Sequence, residues 1–306
     1  NLMQRELVTF DWAIKHILRD KANFDILEGF LSELLKNDIK ILELLESESN
    51  QENERDKFNR VDVLTKDENG TLILIEVQYD RELDYFHRIL FGSSKLVTQY
   101  FKKSEKYSDI KKVVTVHIVY FDLGNGKDYF YKGTTQFVGI YQNDLLELSK
   151  TQRDLFKIDK VEDVFPQNYI IRVGSFNDEV KNTFDEWVYF LKNGDIKENF
   201  KAKNIIEAKN KLNVLKLNEN ERTEYDNYLE SLSYQKSVIE TAKIEGKIEG
   251  KIEGEIIGKQ NSLIKQLIRK FGLNDEEIEL IKICKDMNKL DSALDEILFA
   301  NDKKAF

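Results

Sequence analysis

Between Asn59 and Gln78 apolar and polar residues alternate at a period of two, with valine, leucine and isoleucine filling the alternate positions. That period belongs to a half-buried β-strand. The run is interrupted by Lys66-Asp-Glu-Asn-Gly70, a strong turn signal, so residues 59–66 and 71–79 read as a hairpin. A two-residue loop at Asn69-Gly70 sets Asp62 opposite Val77 and scatters the polar groups over both faces. A three-residue loop, Glu68-Asn69-Gly70 with Gly70 left-handed, sets Asp62 opposite Glu76 and Leu64 opposite Leu74, with Gln78 on the face of Glu76. Three-residue loops ending in a left-handed glycine are common, and this register is the one expected.

Helical spacing marks residues 10–20 and 24–36, and again 84–103 after the hairpin. Residues 39–48 read as a strand with acidic edges. The β-branched and aromatic run 113–122 reads as a central strand, 133–141 as another, and 166–174 as an edge strand opened by Pro166, the only proline. After Phe176 strand signals stop. The expected division is therefore an α/β core over 1–175, a helical connection over 176–240 and a helical region over 241–306. The last of these opens with a repeat, Lys243-Ile-Glu-Gly, Lys247-Ile-Glu-Gly, Lys251-Ile-Glu-Gly, Glu255-Ile-Ile-Gly258. At period two it alternates as a strand would; at period four it forms columns on a helix. Its flanks are helical, so a helix is expected, at a cost of about 1 kcal/mol per glycine. Its glycines would allow close approach of a second helix from another protomer, giving a homo-oligomer through the C-terminal helices; otherwise it is a linker. Short amphipathic helices, broken at Phe271-Gly272-Leu273-Asn274, close the chain.

The chain of 306 residues suffices for about two domains. One cysteine, Cys284, excludes an internal disulfide framework and a cysteine-based zinc site. No apolar run approaches a membrane span or a signal-peptide core, so a cytoplasmic protein without membrane contact is expected. A net charge of −9 argues against indiscriminate nucleic-acid binding, yet Lys95, Lys102, Lys103, Lys106, Lys111 and Lys112 cluster among Tyr100, Phe101 and Tyr107. That cluster is either a phosphate-contacting patch or an ordinary solvated helix face.

Asp62 with Glu76-Val-Gln78 resembles the metal-binding core of PD-(D/E)XK phosphodiesterases. Phe10-Asp11-Trp-Ala-Ile-Lys15, Asn59-Arg-Val-Asp62, Phe86-His-Arg88 and Ser94-Lys95-Leu resemble the recombination-promoting nuclease (Rpn) group of that superfamily, over roughly residues 8–175. The glycine repeat and the Phe271-Gly272 tail are similar to C-terminal regions of the same group. The resemblance implies a restriction-endonuclease-like α/β fold, a central mixed sheet flanked by helices, with an all-helical C-terminal extension. It also implies an Mg²⁺-dependent DNA endonuclease, Mn²⁺ being the alternative ion, serving recombination, mobile elements or phage defence. Asp62 and Glu76 would ligate the metal, with the Val77 carbonyl as a third oxygen. Asp11 would reach the metals from the first helix or simply cap that helix.

Gln78 departs from the D/E-x-K pattern of the superfamily, whose lysine carries a positive charge that glutamine lacks, although the resemblance implies that the Rpn group often carries glutamine there. Arg88, Gly92, Lys95 and Gln99 share one face of the following helix, so Arg88 or Lys95 is expected to supply the cation, with Gly92 permitting close approach. The alternative for either is a surface ion pair with Glu82 or Asp84. His117, mid-strand, reads as a core or hydrogen-bonded histidine. The competing functional class is a catalytically inactive module of this fold that binds nucleic acid or protein.

Overall fold

The computed structural model describes residues 6–45, 60–101 and 105–302. The chain forms two compact units, residues 1–226 and 227–306. In the first, six strands make one mixed sheet: β1 (Ile41–Leu45), β2 (Arg60–Asp67), β3 (Leu72–Gln78), β4 (Val113–Val119), β5 (Phe130–Gly133) and β6 (Gln167–Arg172). Their order across the sheet is β1-β2-β3-β4-β6-β5. The pairs β1–β2, β2–β3 and β5–β6 are antiparallel, while β3–β4 and β4–β6 are parallel.

The hairpin closes through the three-residue loop. Gly70 has φ +80°, its N–H donates to the Asp67 carbonyl at 3.0 Å, and the Asp67 N–H donates to the Thr71 carbonyl at 3.1 Å. The buried Asp67 carboxylate also accepts from the backbone N–H groups of Asn69 (2.9 Å) and Thr71 (2.8 Å). The resulting register pairs Asp62 with Glu76 and Leu64 with Leu74.

Helices α1 (Phe10–His16), α2 (Phe24–Leu35), α3 (Tyr85–Gln99), α4 (Lys150–Phe156), α5 (Thr183–Asn193) and α6 (Ile205–Lys211) complete this unit. Leu72 and Leu74 pack with Leu96 of α3, together with Leu64 and Val113. Rings of Phe10, Phe30, Trp187 and Phe190 join α1, α2 and α5, with centroids 5.3 Å apart for Phe10–Phe30 and 5.9 Å for Phe30–Trp187. Gly29 lets α2 approach the chain before α6, because a Cβ there would lie 2.3 Å from the Lys203 carbonyl oxygen.

Three expectations are corrected. The α/β unit does not end near 175: Trp187, Val188, Phe190 and Leu191 of α5 are buried within it, and its boundary falls at Asp226. The strand expected over 133–141 lies earlier, at Phe130–Gly133, with only an isolated bridge between Val138 and Leu145 beyond it. The strand after Pro166 is internal, since β5 folds back outside it; Pro166 precedes the first ladder residue and so removes no donor from the sheet.

The boundary between the units falls within α7 (Glu219–Lys270), 52 residues long, which contains the glycine repeat. In the second unit Leu263 and Leu267 of α7 form a small core with Leu290 and Ile297 from the segment of α9 (Met287–Glu296). Helix α8 (Asp275–Ile283) contributes Ile281 to it, after a break at Gly272 with φ +73°. Among the described residues no helix is long and apolar enough to cross a membrane.

Candidate active site

Glu76 and Gln78 continue the alternation of Leu72 and Leu74, so they project on the α3 side of the sheet. Glu76 is 5% exposed and Gln78 1%. A carboxylate this far from water needs compensating partners. Arg88 of α3 supplies one, its Nη2 contacting Glu76 Oε1. His117 supplies the other, with Nδ1 3.1 Å from Oε2; the two residues are register partners on the parallel strands β3 and β4. Burial alone pushes the Glu76 carboxyl up, but His117 and Arg88 together outweigh it and hold the group below its ordinary range.

Around this pair lies a connected polar cluster. Arg88 Nη1 donates to both oxygens of Glu82, at 3.2 and 3.4 Å. Gln78 Nε2 donates to the Asp80 carbonyl at 3.3 Å and to Glu82 Oε1 at 3.2 Å, while Gln78 Oε1 is buried without a partner among the described residues. An unmet acceptor of that kind costs about 1–3 kcal/mol. On the other side, His117 Nδ1 is 3.2 Å from the Tyr85 hydroxyl and Nε2 is 2.9 Å from Thr115 Oγ1. Thr115 donates onward to Asn168 Oδ1 at 2.7 Å.

The sequence-derived candidates separate accordingly. Asp62 is the direct ladder partner of Glu76, and paired antiparallel positions have Cβ atoms about 4.5–5.5 Å apart. Of the two cations on α3, Arg88 pairs with Glu76 and Lys95, also on α3, does not. Nor does Gly92 serve a close approach, since no described atom lies within 4 Å of a Cβ built there. The Val77 side chain is buried on the opposite side of the strand from Glu76, so Val77 enters the expected ligand set through its main-chain carbonyl alone.

Asp11 is not brought to Glu76. Its carboxylate accepts from the Tyr79 hydroxyl at 3.1 Å. Tyr79 follows Gln78 by one residue and stacks on Tyr120 at 4.3 Å, whose hydroxyl donates to the Leu191 carbonyl of α5. Strand alternation thus puts Asp11 with α5 rather than with α3. Burial pushes the Asp11 carboxyl up despite the Tyr79 hydroxyl and neighbouring donors, which makes it a poorer anion for a cation. No capping bond from Thr9, the residue preceding α1, is made either.

The family model described as PD-(D/E)XK nuclease family transposase matches residues 8–156. This part of the chain belongs to that family. No curated protein and no solved structure matches the chain. The matched stretch therefore runs from α1 to α4, with the hairpin, α3 and β4 within it.

The family implies a divalent cation, and the donor set fits one. A buried carboxylate at Glu76 and an aspartate at its ladder partner, position 62, are hard oxygen donors of the kind Mg²⁺ and Mn²⁺ take. Among the described residues no group of three or more His, Cys, Asp or Glu gathers to hold a metal.

Glu82 and His117 are the participants that the PD-(D/E)XK motif does not announce. His117 carries a weak signal: with Thr115 it occupies one face of an otherwise apolar strand. Its partnership with Glu76 depends on a parallel register that no local pattern encodes. Glu82 lies in the connection between β3 and α3, four residues from Gln78 and six from Arg88.

Proposed function

We propose that the chain is a metal-dependent DNA endonuclease acting with little sequence preference, in recombination, in a mobile element or in phage defence, and located in the cytoplasm. The observation that carries this reading is the pairing of Asp62 with a buried Glu76 whose carboxylate is held ionised by Arg88 and His117. Asp62 and Glu76 would hold Mg²⁺, which when bound makes a water molecule more acidic and neutralises charge on the phosphate and leaving oxygen. The protein's own groups do the rest. His117 fixes the Glu76 carboxylate, and Arg88, bound between Glu76 and Glu82, offers a guanidinium to the phosphate in place of the family's lysine. The exposed Tyr107 ring, stacked on Phe101 at 6.0 Å, is an aromatic surface of the kind on which nucleic-acid bases stack.

Nicking of supercoiled plasmid tests this. Cleavage is expected with Mg²⁺, none with EDTA, and a loss of at least about 100-fold in Asp62→Ala and Glu76→Gln. One observation favours the competing class, an inactive binding module: both Glu76 oxygens already have protein partners. Wild-type protein that binds plasmid and leaves it intact in Mg²⁺ and Mn²⁺ would establish that alternative.

We also propose that α7 pairs with a second copy of itself. Residues 236–255 are exposed throughout, and three glycines within them weaken an unsupported helix by about 3 kcal/mol in total. At about 100° per residue, the repeat sets an isoleucine column between a lysine column and a glutamate column. Ile244, Ile248 and Ile252 are 55%, 55% and 47% exposed. In a parallel pair meeting on that column each lysine flank faces the partner's glutamate flank; an antiparallel pair would set like charges together. A parallel homodimer follows.

A further inference from the structure

We propose that Glu82 is a positioning residue: it fixes the Gln78 side chain with the amide oxygen turned into the Glu76 site, where that oxygen accepts a hydrogen bond from the water that attacks phosphate. The proposal rests on the nuclease reading for the identity of the water, but not for the orientation of the amide.

The orientation follows from the acceptors around it. Gln78 Nε2 lies 3.3 Å from the Asp80 carbonyl oxygen and 3.2 Å from Glu82 Oε1. Turned over, the amide would set its oxygen against those two acceptors with no proton between them. The nitrogen must therefore face Glu82, and the oxygen must face away. That oxygen is buried and has no partner among the described residues. Because Gln78 follows Glu76 by two residues on one strand, both side chains emerge on the same face.

The polarity is what matters chemically. A lysine at this position donates hydrogen bonds, whereas a glutamine held this way only accepts. It accepts a hydrogen bond from a water or hydroxyl and has nothing to offer a phosphate oxygen. The cationic half of the lysine's work falls to Arg88, and Glu82 holds that residue too: the same Oε1 that receives the Gln78 amide receives Arg88 Nη1 at 3.2 Å, while Arg88 Nη2 reaches Glu76. One carboxylate thus sets both the acceptor and the cation that together replace a lysine.

The test compares wild type with Gln78→Met, Glu82→Leu and Glu82→Gln. In metal-free protein, ¹H–¹⁵N spectra of the Gln78 side-chain amide read its hydrogen bonding without reference to activity. Exchange-protected amide protons are expected in wild type and in Glu82→Gln, whose carboxamide oxygen still accepts, and lost in Glu82→Leu. In Mg²⁺-dependent plasmid cleavage, Gln78→Met and Glu82→Leu should lower kcat about 100-fold with KM changed less than about 3-fold, while Glu82→Gln stays within about 10-fold of wild type. Protection that survives Glu82→Leu, a Glu82→Gln as damaged as Glu82→Leu, or a Gln78→Met with wild-type kcat would overturn the proposal. Should Glu82→Leu fail to fold, Gln78→Met and Glu82→Gln still decide it. A wild type that cleaves nothing would sink the nuclease reading instead, and the amide spectra would still decide the orientation.

Discussion

Replacing Arg88 by methionine removes the one guanidinium that, among the described residues, contacts Glu76, while keeping much of the side chain's apolar length. Glu76 is 5% exposed, so water cannot take over the lost role, and the carboxylate is left with His117 Nδ1 at 3.1 Å. Removing one partner of a buried ion pair costs about 3–5 kcal/mol, a large part of a typical total of about 5–15 kcal/mol. For a unit of this size that corresponds to a fall in Tm of about 6–20 °C. The measurement is a thermal melt in EDTA, followed by circular dichroism across pH. Glu76 is held below its ordinary range in the wild type, so its contribution is present above the unfolded-state value and fades as pH falls through the folded-state value. In the variant the burial penalty on the ionised group is opposed less, and it vanishes once the group is protonated. The gap between the two proteins should therefore be widest near neutrality and close on acidification. Arg88→Met combined with Glu76→Gln should recover most of that loss, because the buried charge of Glu76 has gone and only the contact of Arg88 with Glu82 stays missing. A single variant that melts with the wild type at pH 7, or a double variant as unstable as the single, would refute this reasoning.

Two further outcomes are expected. Asp11→Asn should stabilise the protein at neutral pH: burial holds the folded-state value of Asp11 up, so the penalty for its ionised form is absent in acid and full above that raised value. The stabilisation should disappear below about pH 4, the ordinary aspartate range, and melts at pH 3 and pH 7 check it. For α7, changing Lys243, Lys247 and Lys251 together to glutamate should leave a monomer in sedimentation. Mixing it with the Glu245, Glu249 and Glu253 to lysine variant should restore a dimer; homodimers in both variants would exclude the parallel pairing.

The hairpin was legible because its information is local. Gly70 fixes the loop length, loop length fixes the register, and a single-residue slip would have moved Glu76 to the other face. The helical repeat was legible for a related reason, its flanks settling a period that alone reads two ways. What escaped depends on which segments meet across the sheet. The segment after Gly133 carries strand-forming residues yet makes only the Val138–Leu145 bridge, and β6 lies inside the sheet although Pro166 suggests an edge. Arg88 and Lys95 were equivalent on the helix face; which of them meets Glu76 depends on how α3 packs on the sheet, and it is Arg88. Asp11 looked suitable by residue type, but α1 lies with α5, and Tyr79 intercepts it. His117 meets Glu76 through a parallel pairing joined by α3, and such pairing leaves no mark on either strand alone.

The sharing of one divalent cation by Asp62 and Glu76 is tested most directly by anomalous diffraction from crystals soaked in Mn²⁺. A single strong peak within about 2.0–2.3 Å of an oxygen from each carboxylate is expected, lost in Asp62→Ala. Density that lies elsewhere, or that persists unchanged without Asp62, would contradict it.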